Sequence, residues 1–225
     1  MKKTVLFSAI ILTFNTFISF SQKYSNNQFV VFSYSLDVDA KVKTELQPLE
    51  NYIQVRTDKK QTKLDAMLVH SVYKIVTNLL ADSLKIFFLP PNSFGDAIKY
   101  DDYGYPNILI QKAIRLSDSK YFIKISVSIE NSKYDEKGKK LQEGLFYPVV
   151  NVSLDIYNKF GFNPIQTAEG QAVAVTPVNV TPDFIAGLEF VNLDKTVSTT
   201  NENLMSLIKR AMNEAIYSII YRKQK

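Results

Sequence analysis

The chain has 225 residues, 46% of them hydrophobic and 22% charged, proportions that exclude a disordered, collagen-like or low-complexity polymer. It contains no Cys, no Trp and one His, which removes thiol nucleophiles, disulfides, iron–sulfur clusters and Cys-based zinc sites. The formal net charge of +5 is mild and nowhere concentrated, so nucleic acid is not an expected partner.

Residues 1–21 read as an export signal. Met1-Lys2-Lys3 is a basic start, Val5 to Ile18 is apolar with polar breaks at Ser8, Thr13, Asn15 and Thr16, and Ser19-Phe20-Ser21 supplies the small-x-small pattern of a cleavage site. The apolar core is too short and too interrupted for a membrane span, which needs ~20 near-continuous apolar residues. Cleavage after Ser21 removes Lys2 and Lys3 and no acid, leaving a mature domain over 22–225. An exported chain without Cys relies on its core rather than on disulfides and has no thiol to carry a lipid anchor. A bacterial periplasmic or secreted protein is the expected location.

In chain order, Gln28 to Leu36 is aromatic and β-branched and predicts a strand. Lys41 to Tyr52 fits a helix broken at Pro48 or a loop. Thr62 to Leu80 predicts a helix, with Leu64, Met67, Leu68, Val72, Ile75, Val76 and Leu79 on one stripe and Lys63, His70, Lys74 and Thr77 opposite. Lys85 to Leu89 reads as a short buried strand stopped by Pro90-Pro91, and residues 91–106 as a long aromatic and acidic loop. Pro106 suits the first turn of a helix over Asn107 to Leu116.

Two segments then alternate strictly. Tyr121, Ile123, Ile125, Val127 and Ile129 alternate with Phe122, Lys124, Ser126, Ser128 and Glu130, and Val150, Val152, Leu154 and Ile156 with Asn151, Ser153, Asp155 and Tyr157. Such alternation predicts antiparallel strands with one buried and one wet face, joined across a polar hairpin at Lys133–Gly144. A third strand over Ile165 to Val175 has a small face of Ala168, Gly170, Ala172 and Ala174, fit for a closely packed helix. After an irregular stretch from Thr176 to Ser198, Thr199-x-x-Glu202 has the form of a capping box before a last helix striped by Leu204, Leu207, Ile208, Ala211, Ala215, Ile216 and Ile219. The order β–α–β–α–β–β–β–α, with singly striped helices, predicts a two-layer α+β sandwich with a mainly antiparallel sheet and helices on one face.

Motifs for catalysis are absent. There is no Gly-x-Ser-x-Gly elbow and no Gly-rich phosphate loop, and the letters Ser206-x-x-Lys209 fall inside the last amphipathic helix. His70 has no orienting acid at helical spacing and reads as a surface histidine. No cofactor and no metal site is expected. Asp96, Asp101 and Asp102, ringed by tyrosines, could serve a sugar-cleaving or glycan-binding site; the same residues equally make turns. The loop makes better sense as a recognition surface, with Phe94, Tyr100, Tyr103 and Tyr105 offering contact area and Phe146 and Tyr147 forming a second candidate patch.

The element order, joined to the export signal, resembles bacterial envelope domains of the TolB N-terminal, CsgG and LpoB type over about Gln28 to Tyr221. The resemblance implies a two-layer domain that binds other envelope proteins without catalysing a reaction. CsgG and LpoB are anchored through a lipidated Cys, for which this chain has no counterpart. The expected function is therefore a non-catalytic interaction module of the cell envelope, with a carbohydrate-active or glycan-binding protein as the alternative.

Overall fold

A computed structural model describes residues 23–58, 60–193 and 202–221. Its core is a five-stranded sheet built from β1 (Gln28–Val38), β2 (Phe87–Phe88), β3 (Tyr121–Asn131), β4 (Pro148–Asn158) and β5 (Gln166–Val173), in the order β2-β1-β3-β4-β5. The helices are α1 (Ala40–Leu46), α2 (Lys63–Leu84), α3 (Ile110–Leu116) and α4 (Leu204–Tyr221). This is the expected α+β fold, in the expected order, with α1 added. The ambiguous segment near Pro48 resolves into α1 followed by a 3-10 turn over Gln47–Tyr52, where Pro48 sits in the first turn and needs no amide donor.

The sheet is mixed. β3–β4 and β4–β5 pair antiparallel as the alternation requires, from Tyr121↔Asn158 to Asn131↔Pro148 and from Val149↔Val173 to Ile156↔Gln166. β1 instead pairs parallel with both β2 and β3. That placement explains why Phe29-Val30-Val31-Phe32 does not alternate, because the first half of β1 is buried on both faces. A register shift between Val31 and Ser33 lets Val31 and Tyr34 both join the core on the helix side.

Two parallel crossovers leave β1 and β2 in opposite lateral directions. They share one hand only if they run over opposite faces of the sheet, and right-handed crossovers are the rule. Accordingly α2 packs in the main core with α4, while the return from β2 to β3 crosses the other face. There Phe94, Ile98, Ile110 and Ala113 pack on Val30, Phe32 and Phe122. The expectation of helices on one face thus holds for α2 and α4 and not for α3. The wet face is confined to the far part of the sheet, lined by Ser35, Asp37, Ser126, Ser128, Asn151 and Ser153.

Three local expectations change. β2 is a two-residue edge strand with Phe87 63% exposed, so it is not buried. Pro106 lies outside α3: its carbonyl accepts from the Tyr34 amide, and residues 106–108 extend the edge of β1 antiparallel at the bulge. Helix α4 is capped by Asn203, whose side-chain oxygen accepts from the Ser206 amide while the Ser206 hydroxyl accepts from the Asn203 amide. Thr199 of the expected box lies outside the described residues. Glu202 pairs instead with Arg210 and accepts from the Val175 amide.

The small face of β5 does what its sequence predicts. Helix α4 lies against it so closely that a Cβ at Gly170 would stand 2.0 Å from the Ala211 carbonyl oxygen.

Candidate functional site

On α2, the spacing of His70, Tyr73, Lys74 and Thr77 places all four on one side of the helix. This side is not the solvated face that its polar residues predict. The strap from Phe184 to Val191 folds over it, with Phe184, Ile185 and Leu188 buried in the core. Ser71 anchors the strap by accepting from the Glu189 amide at 3.0 Å. Thr77 is buried and donates to the Tyr73 carbonyl at 2.8 Å. The strap also pairs with the chain after the 3-10 turn, through the Ile53↔Val191 bridge and a bond from the Gln54 amide to the Phe190 carbonyl at 2.7 Å.

Between strap, helix and the 101–105 turn lies a cleft of about 660 Å³, lined by Gln54, Val55, Arg56, His70, Tyr73 and Tyr105 with Lys74, Glu189 and Phe190 at its rim. Its floor is aromatic. The rings of Tyr73 and Tyr105 are 4.4 Å apart, and Tyr34 stands edge-on to both at 5.1 and 5.0 Å. Tyr34 donates to the Val69 carbonyl at 2.9 Å, which pins the floor to α2. Burial pushes the Tyr73 phenol up to about 12 and raises the Tyr34 and Tyr105 phenols as well, so all three keep their protons at neutral pH.

His70 shares a 2.8 Å hydrogen bond between Nδ1 and the Tyr105 hydroxyl. Its ring lies 5.5 Å from Tyr105, 6.0 Å from Phe190 and 6.3 Å from Tyr103. Burial lowers its pKa, against an opposing pull from the carboxylates of Glu189 and Asp101. Glu189 is itself ion-paired with Lys74. The imidazole is thus held by a phenol that stays protonated, an arrangement that fixes a ring in place and supplies no basic partner. Phe190 has a left-handed backbone, φ +64, which is strained for an aromatic residue, and its ring remains 42% exposed.

The depressed His70 pKa has a consequence for stability. The unfolded chain takes up the proton first, so stability is flat above the ordinary His pKa near 6.5, falls as pH drops through that value, and levels off below the folded pKa. Replacing His70 with Gln should flatten this limb in urea melts taken across the range. An unchanged slope would mean that other groups set it.

The expected recognition residues separate in the structure. Phe94 is buried in the back cluster, Tyr105 in the cleft floor, and Phe146 and Tyr147 beneath the hairpin, with Phe146 6.1 Å from Phe184. Phe94, Phe146 and Tyr147 are buried by the strand or strap they cover, and Tyr105 faces solvent only through the cleft it floors. Tyr100 is half-buried, with a hydroxyl that is buried and unpaired among the described residues. Of the six, Tyr105 lines the cleft, and Tyr103 is half-buried with its ring edge-on to His70. Asp101 is a turn-former: its carboxylate accepts from the amides of Tyr103 at 2.9 Å and Tyr105 at 2.7 Å. Asp96 lies exposed in a 3-10 turn and Asp102 is exposed on the same hairpin as Asp101. Among the described residues no cluster of three His, Asp or Glu could hold a metal ion, and no helix is long and apolar enough to cross a membrane.

Sequence reasoning missed Tyr73, Arg56, Glu189 and Phe190. The i, i+3, i+4 stripe of His70, Tyr73 and Lys74 carried a signal for the first; nothing local marks Phe190, whose position depends on the strap.

No family model matches the chain, and no curated protein matches it. Solved structures do. The C-terminal domain of LpoB from Salmonella enterica aligns at 13% identity over 66% of this chain and 83% of its own, with a TM-score of 0.35. A hypothetical protein from Chlamydia trachomatis aligns at 9% identity over 86% and 96%, TM-score 0.44, and a lipoprotein from Neisseria meningitidis at 11% over 69% and 86%, TM-score 0.36. LpoB is one of the three domains that the element order resembles, and the likeness throughout is one of weak, topology-level similarity at low identity.

Proposed function

We propose that the chain is an exported, non-catalytic interaction domain of the bacterial cell envelope, and that it captures its partner in the cleft between α2 and the 189–191 strap. The observation that carries this reading is the state of the cleft's reactive groups. His70 is tied to the Tyr105 phenol and Glu189 to Lys74, while the aromatic walls and the Arg56 guanidinium remain open to a guest. Concave aromatic surfaces with a few charged groups at the rim are what recognition sites are made of. The address rests on the N-terminal pattern of Lys2-Lys3, the apolar run and Ser19-Phe20-Ser21.

The test is photocrosslinking in the producing cell. A crosslinking amino acid is placed at Arg56 or Gln54 in the exposed part of the cleft lining, and at Lys137 in the distant hairpin as a control. The same adduct from both cleft positions and none from Lys137 is expected. It should disappear in Phe190→Gly, which removes the ring and suits the left-handed backbone, so that the fold is retained. Adducts that form equally at Lys137, or that survive Phe190→Gly, would move recognition away from the cleft. Mass spectrometry of the N-terminus tests cleavage after Ser21 separately.

A further inference from the structure

The end of the sheet opposite the 133–144 hairpin gathers cations and exposed aromatic rings. It is built by the turn between β4 and β5, the turn entering β3, the chain before β1, and the last turn of α4. The Lys159 amide donates to the Lys120 carbonyl at 3.2 Å, which places the two lysines side by side. Lys159 lies 5.5 Å over the ring of Phe160, Lys120 5.1 Å over Tyr121, and Lys23 5.0 Å over Tyr24. Tyr24 and Tyr121 are in turn 5.3 Å apart, so these contacts form one continuous strip. Lys85 joins it, its carbonyl accepting from the Asn26 amide. Asp82 and Asp118 lie within three residues of Lys85 and Lys120 in the sequence, against the four lysines Lys23, Lys85, Lys120 and Lys159, all exposed.

The strip has an apolar tip. Phe160 is 80% exposed and Phe162 60% exposed, two residues apart on the β4–β5 turn. Helix α4 runs to the same end, where the Ile219 carbonyl accepts from Gln166, and its exposed Tyr217 and Tyr221 rings pack 4.5 Å apart at a tilt of 37°. Arg222, Lys223 and Lys225 follow in sequence from this end, and residues 1–22 join the fold here through Lys23.

We infer that this end of the molecule docks on an anionic lipid surface, with Phe160 and Phe162 entering the headgroup region and the lysines contacting lipid phosphates. Charge complementarity selects the occupant: a strip of cations ending in protruding phenylalanines matches an interface that is anionic outside and apolar within. The surface is separate from the cleft, so either reading can fail without the other.

The chain has no tryptophan, so Phe160→Trp gives the protein a single indole at the tip. The protein is purified after export and mixed with vesicles of phosphatidylglycerol and phosphatidylcholine, or of phosphatidylcholine alone. Emission of Phe160→Trp should shift to the blue on the anionic vesicles only and be quenched by brominated lipid. A single indole at Tyr134→Trp, in the hairpin at the opposite end, should show neither effect. Adding Lys120→Glu and Lys159→Glu to Phe160→Trp should raise the lipid concentration needed for half the shift by at least about 25-fold, given that each basic side chain near such a surface contributes roughly a factor of five. Unchanged Phe160→Trp emission, equal quenching of Tyr134→Trp, or indifference to the two reversals would each overturn the inference; a protein or glycan occupant of this end leaves the vesicle spectra unchanged and so counts against it.

Discussion

Gly170→Ala is expected to destabilise the protein by about 3 kcal/mol or more, and Gly170→Val to prevent folding. Overpacking of a core usually costs ~1–3 kcal/mol because side chains can shift to make room. Here the obstacle is backbone. A Cβ at Gly170 meets the Ala211 carbonyl oxygen at 2.0 Å, the Ala215 amide nitrogen at 2.7 Å and the Ala211 carbonyl carbon at 3.0 Å. None of these can turn away, so α4 as a whole must lift from β5. Lifting it opens the contacts of Leu207, Ile208, Ala211, Ala215 and Ile219, all buried. It also disturbs the bond from the Gln171 amide to Glu214 at 2.8 Å. Against a typical stability of ~5–15 kcal/mol, the alanine variant should still fold with a much lower urea midpoint. A midpoint equal to wild type would show that α4 does not seat against β5 in this way.

Phe122→Ala is expected to cost about 3–5 kcal/mol, in the range for deleting a fully buried aromatic side chain. Phe122 is 0% exposed and lies in the middle of the back cluster, with Val30 and Phe32 on the strand side and Phe94, Ile98, Ile110 and Ala113 on the crossover side. This cluster secures the long passage from β2 to β3, so the loss should be local before it is global. Limited proteolysis should cut first between residues 91 and 116, well before the sheet melts, and the released turn should carry Tyr105 away from His70. An unchanged first cleavage site would show that the edge bonds at Pro106–Ile108 hold the passage without the cluster.

Much of the helix and strand pattern was open to reading from side-chain period alone. The strict alternation of β3 and β4, the apolar stripes of α2 and α4, and the small face of β5 each state which surface must leave water, and the structure buries those surfaces. The candidate site was legible only in fragments. His70 was singled out as the sole imidazole and Tyr103 as part of an aromatic loop, yet their meeting depends on a turn 33 residues along from His70 and on a strap near Glu189, more than a hundred residues away. Phe94, Phe146 and Tyr147 are buried and Tyr105 lines the cleft, a distinction the sequence does not carry because aromatic residues in loops look like contact surface whether they face out or in. Which way they face depends on what lies beneath the loop.

The amino-acid sequence determined by itself the fold class, the number and order of the principal elements, and the close approach of α4 to β5. Each follows from local period and side-chain size, which a segment carries wherever it is placed. Only the tertiary structure decided that β1 lies parallel between β2 and β3, and most of the remaining geometry follows from that choice. It sends the two crossovers over opposite faces, buries one end of the second face under residues 94–113, and turns Tyr105 toward α2. The continuous apolar run Phe29–Phe32 hints at burial on two sides, but strand order is a matter of contacts between segments far apart in the chain, and no local pattern encodes it.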